Sequence, residues 1–194
     1  VANETFTTKD GSTSGNKKTY TLVSSMTALK DASTSANLAL TGDLNATSFF
    51  ITNADATTTR YGNVMSGTYS GTFAGLGHTI TDITLTKADS QTGIFAQTSN
   101  ATLRDLMVDR VTILGRHHTG TLIGRAGGTT TLLNLLVTNS SVGLQADGHY
   151  WTGGLVGYVD GGTISNAWVI NTPVSGYHQV GGLIGRSQLV ADNI

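Results

Sequence analysis

Short glycine-rich apolar motifs recur along the second half of this chain. The four copies occupy residues 92–96, 120–124, 153–157 and 181–185. Their central aliphatic residues, Ile94, Leu122, Leu155 and Leu183, are separated by 28, 33 and 28 residues. A period of roughly 30 residues is typical of a solenoid, in which each repeat forms one coil that packs only against its neighbours.

A second motif lies between the glycine-rich copies. Its four copies begin at Thr79, Thr102, Thr131 and Thr163. Each has apolar residues one, four and six positions after the threonine, which fits a β-strand interrupted by one bend and does not fit a helix. The bend is expected at Asp82, Asp105, Asn134 and Asn166, because Asp and Asn tolerate turn geometry. A third landmark runs from glycine to glycine over residues 115–120, 148–153 and 176–181.

Three landmarks in each repeat predict a coil of about three short strands joined by turns. Stacked coils place equivalent strands in parallel, and parallel crossovers are overwhelmingly right-handed. The sequence therefore predicts an all-β fold, a right-handed parallel β-helix (β-solenoid), with its coils in residues 71–194. The last repeat has no polar capping face, so we expect the coils to continue beyond Ile194 or to stack on a partner.

Residues 1–70 are expected to form an N-terminal capping region of the same folded unit. This region contains one short helix candidate, residues 25–31, in which Ser25 is placed to cap the N-terminus and Met26 and Leu29 share one face. A cap is needed because the open end of a coil exposes unpaired strand groups.

The composition of this chain argues against several classes of partner. Charged residues make up 12% of it and the formal net charge is −1, so there is no basic field to attract nucleic acid. No apolar run is long enough to cross a bilayer, so membrane insertion is not expected. The absence of cysteine excludes a disulfide scaffold and a thiolate metal site.

The glycine-rich copies at 153–157 and 181–185, with Gly-Gly-Thr-Ile-Ser-Asn (161–166) between them, resemble the GLUG repeat of bacterial surface proteins. The stretches 71–80 and 38–45 resemble the segments that precede such repeats. This resemblance implies a β-helix in a large secreted or cell-surface protein, often an adhesin of the filamentous-haemagglutinin or autotransporter type. GLUG repeats also occur beside catalytic domains, including those of surface metallopeptidases.

The candidate chemical groups do not form a recognisable active site. The histidines of the glycine-to-glycine stretches alternate with aromatic residues and have no carboxylate between them, so we expect no metal site and no cofactor. Asp82 and Asp105 share the bend motif and are expected about 5 Å apart, close enough for a pair of catalytic carboxylates on distance alone. Because the motif continues as Asn134 and Asn166, a hydrogen-bonding turn is the favoured interpretation, and we expect no catalytic residues.

Two surfaces are candidates for binding. Aromatic and histidine residues of the glycine-to-glycine stretches are expected to cluster on one edge and to contact a glycan or receptor; they are His149, Tyr150, Trp151, Tyr177 and His178. The alternative is that these loops only pack on one another. The position five residues after each motif threonine faces outward and carries Thr84, Met107, Leu136 and Trp168, an apolar stripe in three coils.

Two explanations of this stripe compete. Part of residues 1–70 covers it, or a neighbouring chain docks there. The cover is favoured because Phe49, Phe50 and Ile51 have no other obvious place in the repeat.

The function expected from these features is a non-enzymatic segment of a secreted or cell-surface β-solenoid. It would act as an adhesin stalk or binding module whose partner is a glycan or protein receptor on a host or neighbouring cell. One alternative is an extracellular filament subunit that self-associates end to end. Another is a carbohydrate-active β-helix, or the non-catalytic part of a surface peptidase.

Overall fold

The computed structural model describes residues 5–9, 17–49, 62–86, 91–144 and 151–188. Within these ranges the chain is nearly all β and winds into a β-solenoid of about four turns built from parallel stacked sheets. The fold class predicted from the repeats is therefore confirmed.

The strands are short and the described residues contain one helix. The first elements are β1 (Thr5–Lys9), β2 (Lys17–Val23), α1 (Met26–Asp31), β3 (Leu38–Leu40), β4 (Leu44–Asn45), β5 (Met65–Tyr69), β6 (Thr72–Ala74), β7 (Thr79–Thr81), β8 (Thr84–Thr86) and β9 (Gln91–Thr92). The next coils contain β10 (Phe95–Ser99), β11 (Thr102–Asp109), β12 (Thr112–Gly115), β13 (His118–Gly120), β14 (Ile123–Gly127), β15 (Thr131–Thr138) and β16 (Ser141–Leu144). The last elements are β17 (Trp151–Gly153), β18 (Val156–Asp160), β19 (Thr163–Ile170), β20 (Gln179–Gly181) and β21 (Ile184–Ser187).

Four sheets run along the solenoid. Sheet I contains β1 to β4, β6, β7, β11, β15 and β19, and sheet II contains β5, β10, β14, β18 and β21. Sheet III contains β8, β12 and β16, and sheet IV contains β9, β13, β17 and β20. A complete coil passes through sheets II, I, III and IV in that order, as β10, β11, β12 and β13 do.

The interior is a continuous apolar core. Leu106 pairs with Leu135, and Leu135 pairs with Ala167 in the next coil, as the motif alignment predicts. Leu106 and Leu135 are 3% and 1% exposed, and Ala167 is partly buried against the same core. The inward stacking of these three residues is confirmed.

The bend motif forms a column of residues with left-handed backbone conformation. Asp105, Asn134 and Asn166 have φ values of 56°, 54° and 50°. The side-chain amide of Asn134 donates to Asp105, and that of Asn166 donates to Asn134. The predicted bend is therefore confirmed at these three positions, where Asp and Asn adopt a left-handed backbone conformation that most other residues avoid.

The prediction was wrong for the first coil. Thr102 pairs with Thr72, whereas Thr79 pairs with Met107. The reason is a turn at residues 75–78, where the amide of His78 donates to the carbonyl of Gly75 and splits the long strand of later coils into β6 and β7. The apolar motif at Thr79 resembles the later copies but lies about half a strand further along the coil.

Asp82 consequently belongs to a different column, at the turn between sheets I and III. Its φ is 62°, and the equivalent residues Arg110, Asn139 and Asn171 have φ values of 51°, 47° and 49°. Asn171 donates its side-chain amide to Asn139 at 2.7 Å. Asp82 and Asp105 therefore do not lie in one column, and the carboxylate pair considered from the sequence does not form.

The N-terminal helix has the predicted cap and buried face. The Ser25 hydroxyl accepts a hydrogen bond from the amide of Ala28, and Met26 and Leu29 are buried in the core. Before the helix, β2 pairs in parallel with β3, and β1 adds to β2 in antiparallel. Because β3 and β4 lie in sheet I and β5 lies in sheet II, the stack of parallel strands begins upstream of residue 71.

A polar column is enclosed where sheets III and IV meet. Thr92, Thr119 and Thr152 pair across β9, β13 and β17 and are 0% exposed. Among the described residues their hydroxyl oxygens have no hydrogen-bond partner. Gly115 leaves room for this column, since a Cβ on Gly115 would lie 2.2 Å from the Thr119 hydroxyl oxygen.

Candidate functional site

Sheets IV and II meet at a tight corner formed by the glycine-rich motif. A Cβ on Gly157 would lie 2.4 Å from the Thr119 amide nitrogen, and one on Gly185 would lie 2.5 Å from that of Thr152. Any larger residue would push the sheets apart. The copies that end at Gly124, Gly157 and Gly185 need glycine at this contact with the preceding coil, whereas the first copy ends in alanine. The central aliphatic residue of each copy packs in the core.

Two columns of polar and aromatic side chains line the outside of this corner. The first runs through sheet IV and consists of Gln91, His118, Trp151 and Gln179. The second runs through sheet II and consists of Gln97, Arg125, Tyr158 and Arg186. Five of these residues contact one another and are called the aromatic–arginine cluster: His118, Arg125, Trp151, Tyr158 and Arg186.

Trp151 lies at the centre of the aromatic–arginine cluster. Its ring stacks on His118 with centroids 4.6 Å apart and an interplanar angle of 15°. Tyr158 packs beside both rings, 4.5 Å from Trp151 and 5.4 Å from His118. The guanidinium of Arg186 lies 4.5 Å from the centroid of the Trp151 ring.

The coil order places His118 and Arg186 on opposite faces of Trp151. His118 is one coil before Trp151, and Arg186 is one coil after Tyr158, which follows Trp151 in the chain. The indole is therefore enclosed between an imidazole and a guanidinium. The cluster is partly buried, since Tyr158 is 6% exposed and the Nδ1 atom of His118 and the Nε atom of Arg125 are buried without a hydrogen-bond partner among the described residues.

The charges of the cluster are unequal. Arg125 forms an ion pair with Asp160 and lies 5.7 Å from the Tyr158 ring centroid. Burial lowers the pKa of His118 to about 4, with further contributions from the positive charges of Arg125 and His117. His118 is consequently neutral at pH 7. Arg186 contacts the rings of Trp151 and Tyr158, and no carboxylate among the described residues pairs with it.

The predicted glycan site is only partly within the described residues. His149 and Tyr150 lie outside them. Tyr177 and His178 contact each other edge to face with centroids 5.0 Å apart, and Tyr177 is 72% exposed. The sequence singled out Trp151 but missed its partners His118, Tyr158 and Arg186. Arg125, Tyr158 and Arg186 each follow the last glycine of a motif copy, which is the signal that could have found them.

The outward apolar stripe is present from the second coil onward. Met107, Leu136 and Trp168 pair in successive coils, but Thr84 pairs with Thr112 in sheet III and is not part of it. Trp168 is 55% exposed, and the cover by part of residues 1–70 stays a prediction because residues 50–61 lie outside the described residues. The expected role of Phe49 was wrong, because this residue packs against the main core. Phe50 and Ile51 lie outside the described residues.

Carboxylates of the described coils are held by structural hydrogen bonds. Asp82 accepts from Arg110 and Asn45, and the hydrogen bond from Arg110 is the main cause that lowers the pKa of Asp82. Asp109 accepts from Thr138 and Asn139. No group of three or more histidine or acidic residues suited to a metal ion occurs in the described ranges.

The stacked coils and their glycine corner define the chain as a β-solenoid. No family model matches it, and the comparisons with curated proteins and with solved structures likewise gave no match. The likeness to GLUG repeats therefore rests on the quoted motifs alone. Within the part of the chain that the structure describes, no helix is long and apolar enough to cross a membrane.

Proposed function

We propose that this chain is a non-enzymatic segment of a secreted or cell-surface β-solenoid and acts as an adhesin-type stalk or binding module. The observation that carries the proposal is the aromatic–arginine cluster, in which side chains from successive coils meet on the outside of the glycine corner. Clustered aromatic and arginine side chains are enriched where proteins bind partners.

The solenoid supports this role because it holds the cluster rigidly. Each strand of sheets II and IV is paired with strands of the neighbouring coils, so the two outward columns keep a fixed spacing of about 4.8 Å between coils. A binding surface on a preformed scaffold loses little conformational entropy when its partner arrives.

The chemistry of the cluster favours recognition of polar partners. With both faces of Trp151 in contact with protein groups, a sugar ring is not expected to stack on the indole. Contact would instead be made through the guanidinium of Arg186, which donates hydrogen bonds, and through the neighbouring glutamine amides, which donate to and accept from hydroxyl groups.

A glycan array with matched tryptophan variants tests the proposal. Trp151→Ala should lose glycan binding. Trp168→Ala, which removes the second tryptophan of the chain, located in sheet I, should keep glycan binding. Equal melting temperatures of the two variants are the folding control. Retained binding by Trp151→Ala would remove the cluster as the contact, and turnover of any arrayed polysaccharide would support the enzyme alternative.

A second candidate function is association between chains through the outward stripe. It is favoured by the exposure of Trp168 and of Ile170 beside it, 55% and 54% respectively. Sedimentation velocity of the chain against Trp168→Ser tests it. Assembly that disappears in the variant supports this contact, and a monomer at all concentrations contradicts it.

A further inference from the structure

Arg186 is the cation of the aromatic–arginine cluster whose charge is not neutralised by a described neighbour. Arg125, in the same column, is paired with Asp160. Arg186 instead makes cation–π contacts, 4.5 Å from the Trp151 centroid and 5.9 Å from the Tyr158 centroid. These contacts orient the guanidinium without using its hydrogen-bonding capacity.

A stacked guanidinium is well suited to bind an oxyanion. Stacking occupies a face of the planar group and leaves the N–H edges available for a carboxylate or sulfate. The side chain is also ordered in advance, so less rotamer entropy is lost when the anion binds. Charge-assisted hydrogen bonds of this kind are about twice as strong as those between neutral groups.

The groups around Arg186 match a saccharide. Gln179 pairs with Trp151 in the column of sheet IV and is exposed. Its strand, β20, is followed in the same coil by β21, which carries Arg186. The Gln179 amide provides one donor group and one acceptor for sugar hydroxyls, in the same coil as the guanidinium of Arg186. The columns continue along the solenoid, so a chain of sugars would find further polar groups at each coil.

We propose that the aromatic–arginine cluster binds an acidic saccharide and that Arg186 contacts its carboxylate or sulfate group. This inference rests on the proposed binding function and specifies the ligand. It commits to an anionic polysaccharide, in preference to a neutral one.

Binding to three immobilised polysaccharides tests the inference, with polygalacturonate carrying carboxylates, heparin carrying sulfates and carboxylates, and dextran carrying no charge. We expect binding to one or both acidic polymers and little binding to dextran. Arg186→Gln should weaken acidic binding about tenfold or more. The fold is expected to tolerate glutamine here, because Gln97 occupies the same column.

Lys30→Ala is the control for net charge, since Lys30 lies on α1 and pairs with Asp31, outside the aromatic–arginine cluster. It should leave affinity unchanged. An equal loss of affinity for the acidic polymers in Lys30→Ala and Arg186→Gln would overturn the inference. Binding to dextran as strong as binding to the acidic polymers would also overturn it. Loss in Trp151→Ala but not in Arg186→Gln would overturn the role of Arg186 while leaving the binding function standing. No binding to any polysaccharide here or on the array would overturn both.

Discussion

Asn134 donates its side-chain amide to the carboxylate of Asp105 in the preceding coil, with 2.8 Å between the nitrogen and the oxygen. Both residues have positive φ, so the same side chains that link the coils also relieve a backbone conformation that is costly for other residues. The column therefore combines two stabilising effects that substitutions can separate.

Replacing Asn134 with glycine or alanine separates these effects. Both variants lose the hydrogen bonds to Asp105 and Asn166, but only alanine meets the steric cost of φ near 54°. We expect Asn134→Gly to be more stable than Asn134→Ala by roughly 1 kcal/mol in urea unfolding. Equal stability of the two variants would show that the backbone relaxes at this turn.

Leu135→Asp should destabilise the solenoid severely. Leu135 is 1% exposed between Leu106 and Ala167, and a buried unpaired carboxylate costs several kcal/mol. The adjacent Leu136→Asp is the matched control, because strand alternation turns Leu136 outward. Thermal unfolding followed by circular dichroism compares them, and a melting temperature of Leu135→Asp at or above that of Leu136→Asp contradicts the register.

The enclosed threonine column predicts an unusual substitution effect. Thr119 is fully buried and its hydroxyl has no partner among the described residues, so Thr119→Val should leave stability unchanged or raise it. Thr119→Ser keeps the hydroxyl and removes a methyl group, which should cost roughly 1 kcal/mol. Chemical denaturation of both variants is the measurement. If Thr119→Val lost as much stability as Thr119→Ser, the Thr119 hydroxyl would be bonded to a buried water molecule.

His118 predicts a pH dependence of stability. Its pKa is lowered from 6.5 to about 4 in the folded chain, first by burial and then by Arg125 and His117. The unfolded chain therefore binds the proton more readily, and stability should fall as the pH drops from about 6.5 towards 4, then level off for this group. Asp82 has a pKa below its ordinary value of 3.8, so the contribution of its carboxylate to the stability of the fold is lost at a more acidic pH than that of His118.

His118→Gln provides the control for this prediction. Glutamine occupies the same column at Gln91 and Gln179, so the strand pairing should persist. The melting temperature of the variant should change less between pH 6.5 and 4 than that of the original chain. Parallel pH profiles would show that His118 is not the group responsible.

Sequence periodicity alone determined the solenoid, the inward leucine column and the bend at Asp105, Asn134 and Asn166. These features depend on interactions between copies of one motif, so equivalent residues stack in register and alignment predicts their contacts. The capped helix at Met26–Asp31 was also predictable, because an N-cap and its buried face are local in sequence.

Only the tertiary structure decided the aromatic–arginine cluster, the first-coil register and the loss of Thr84 from the apolar stripe. His118, Trp151 and Arg186 come from separate coils and two different sheets, and they meet because glycine allows those sheets to approach. Similarly, the turn at 75–78 moved Asp82 out of the column with Asp105. Side-chain contacts across a corner depend on how closely two sheets approach and on which coil each residue enters, and repeat spacing specifies neither.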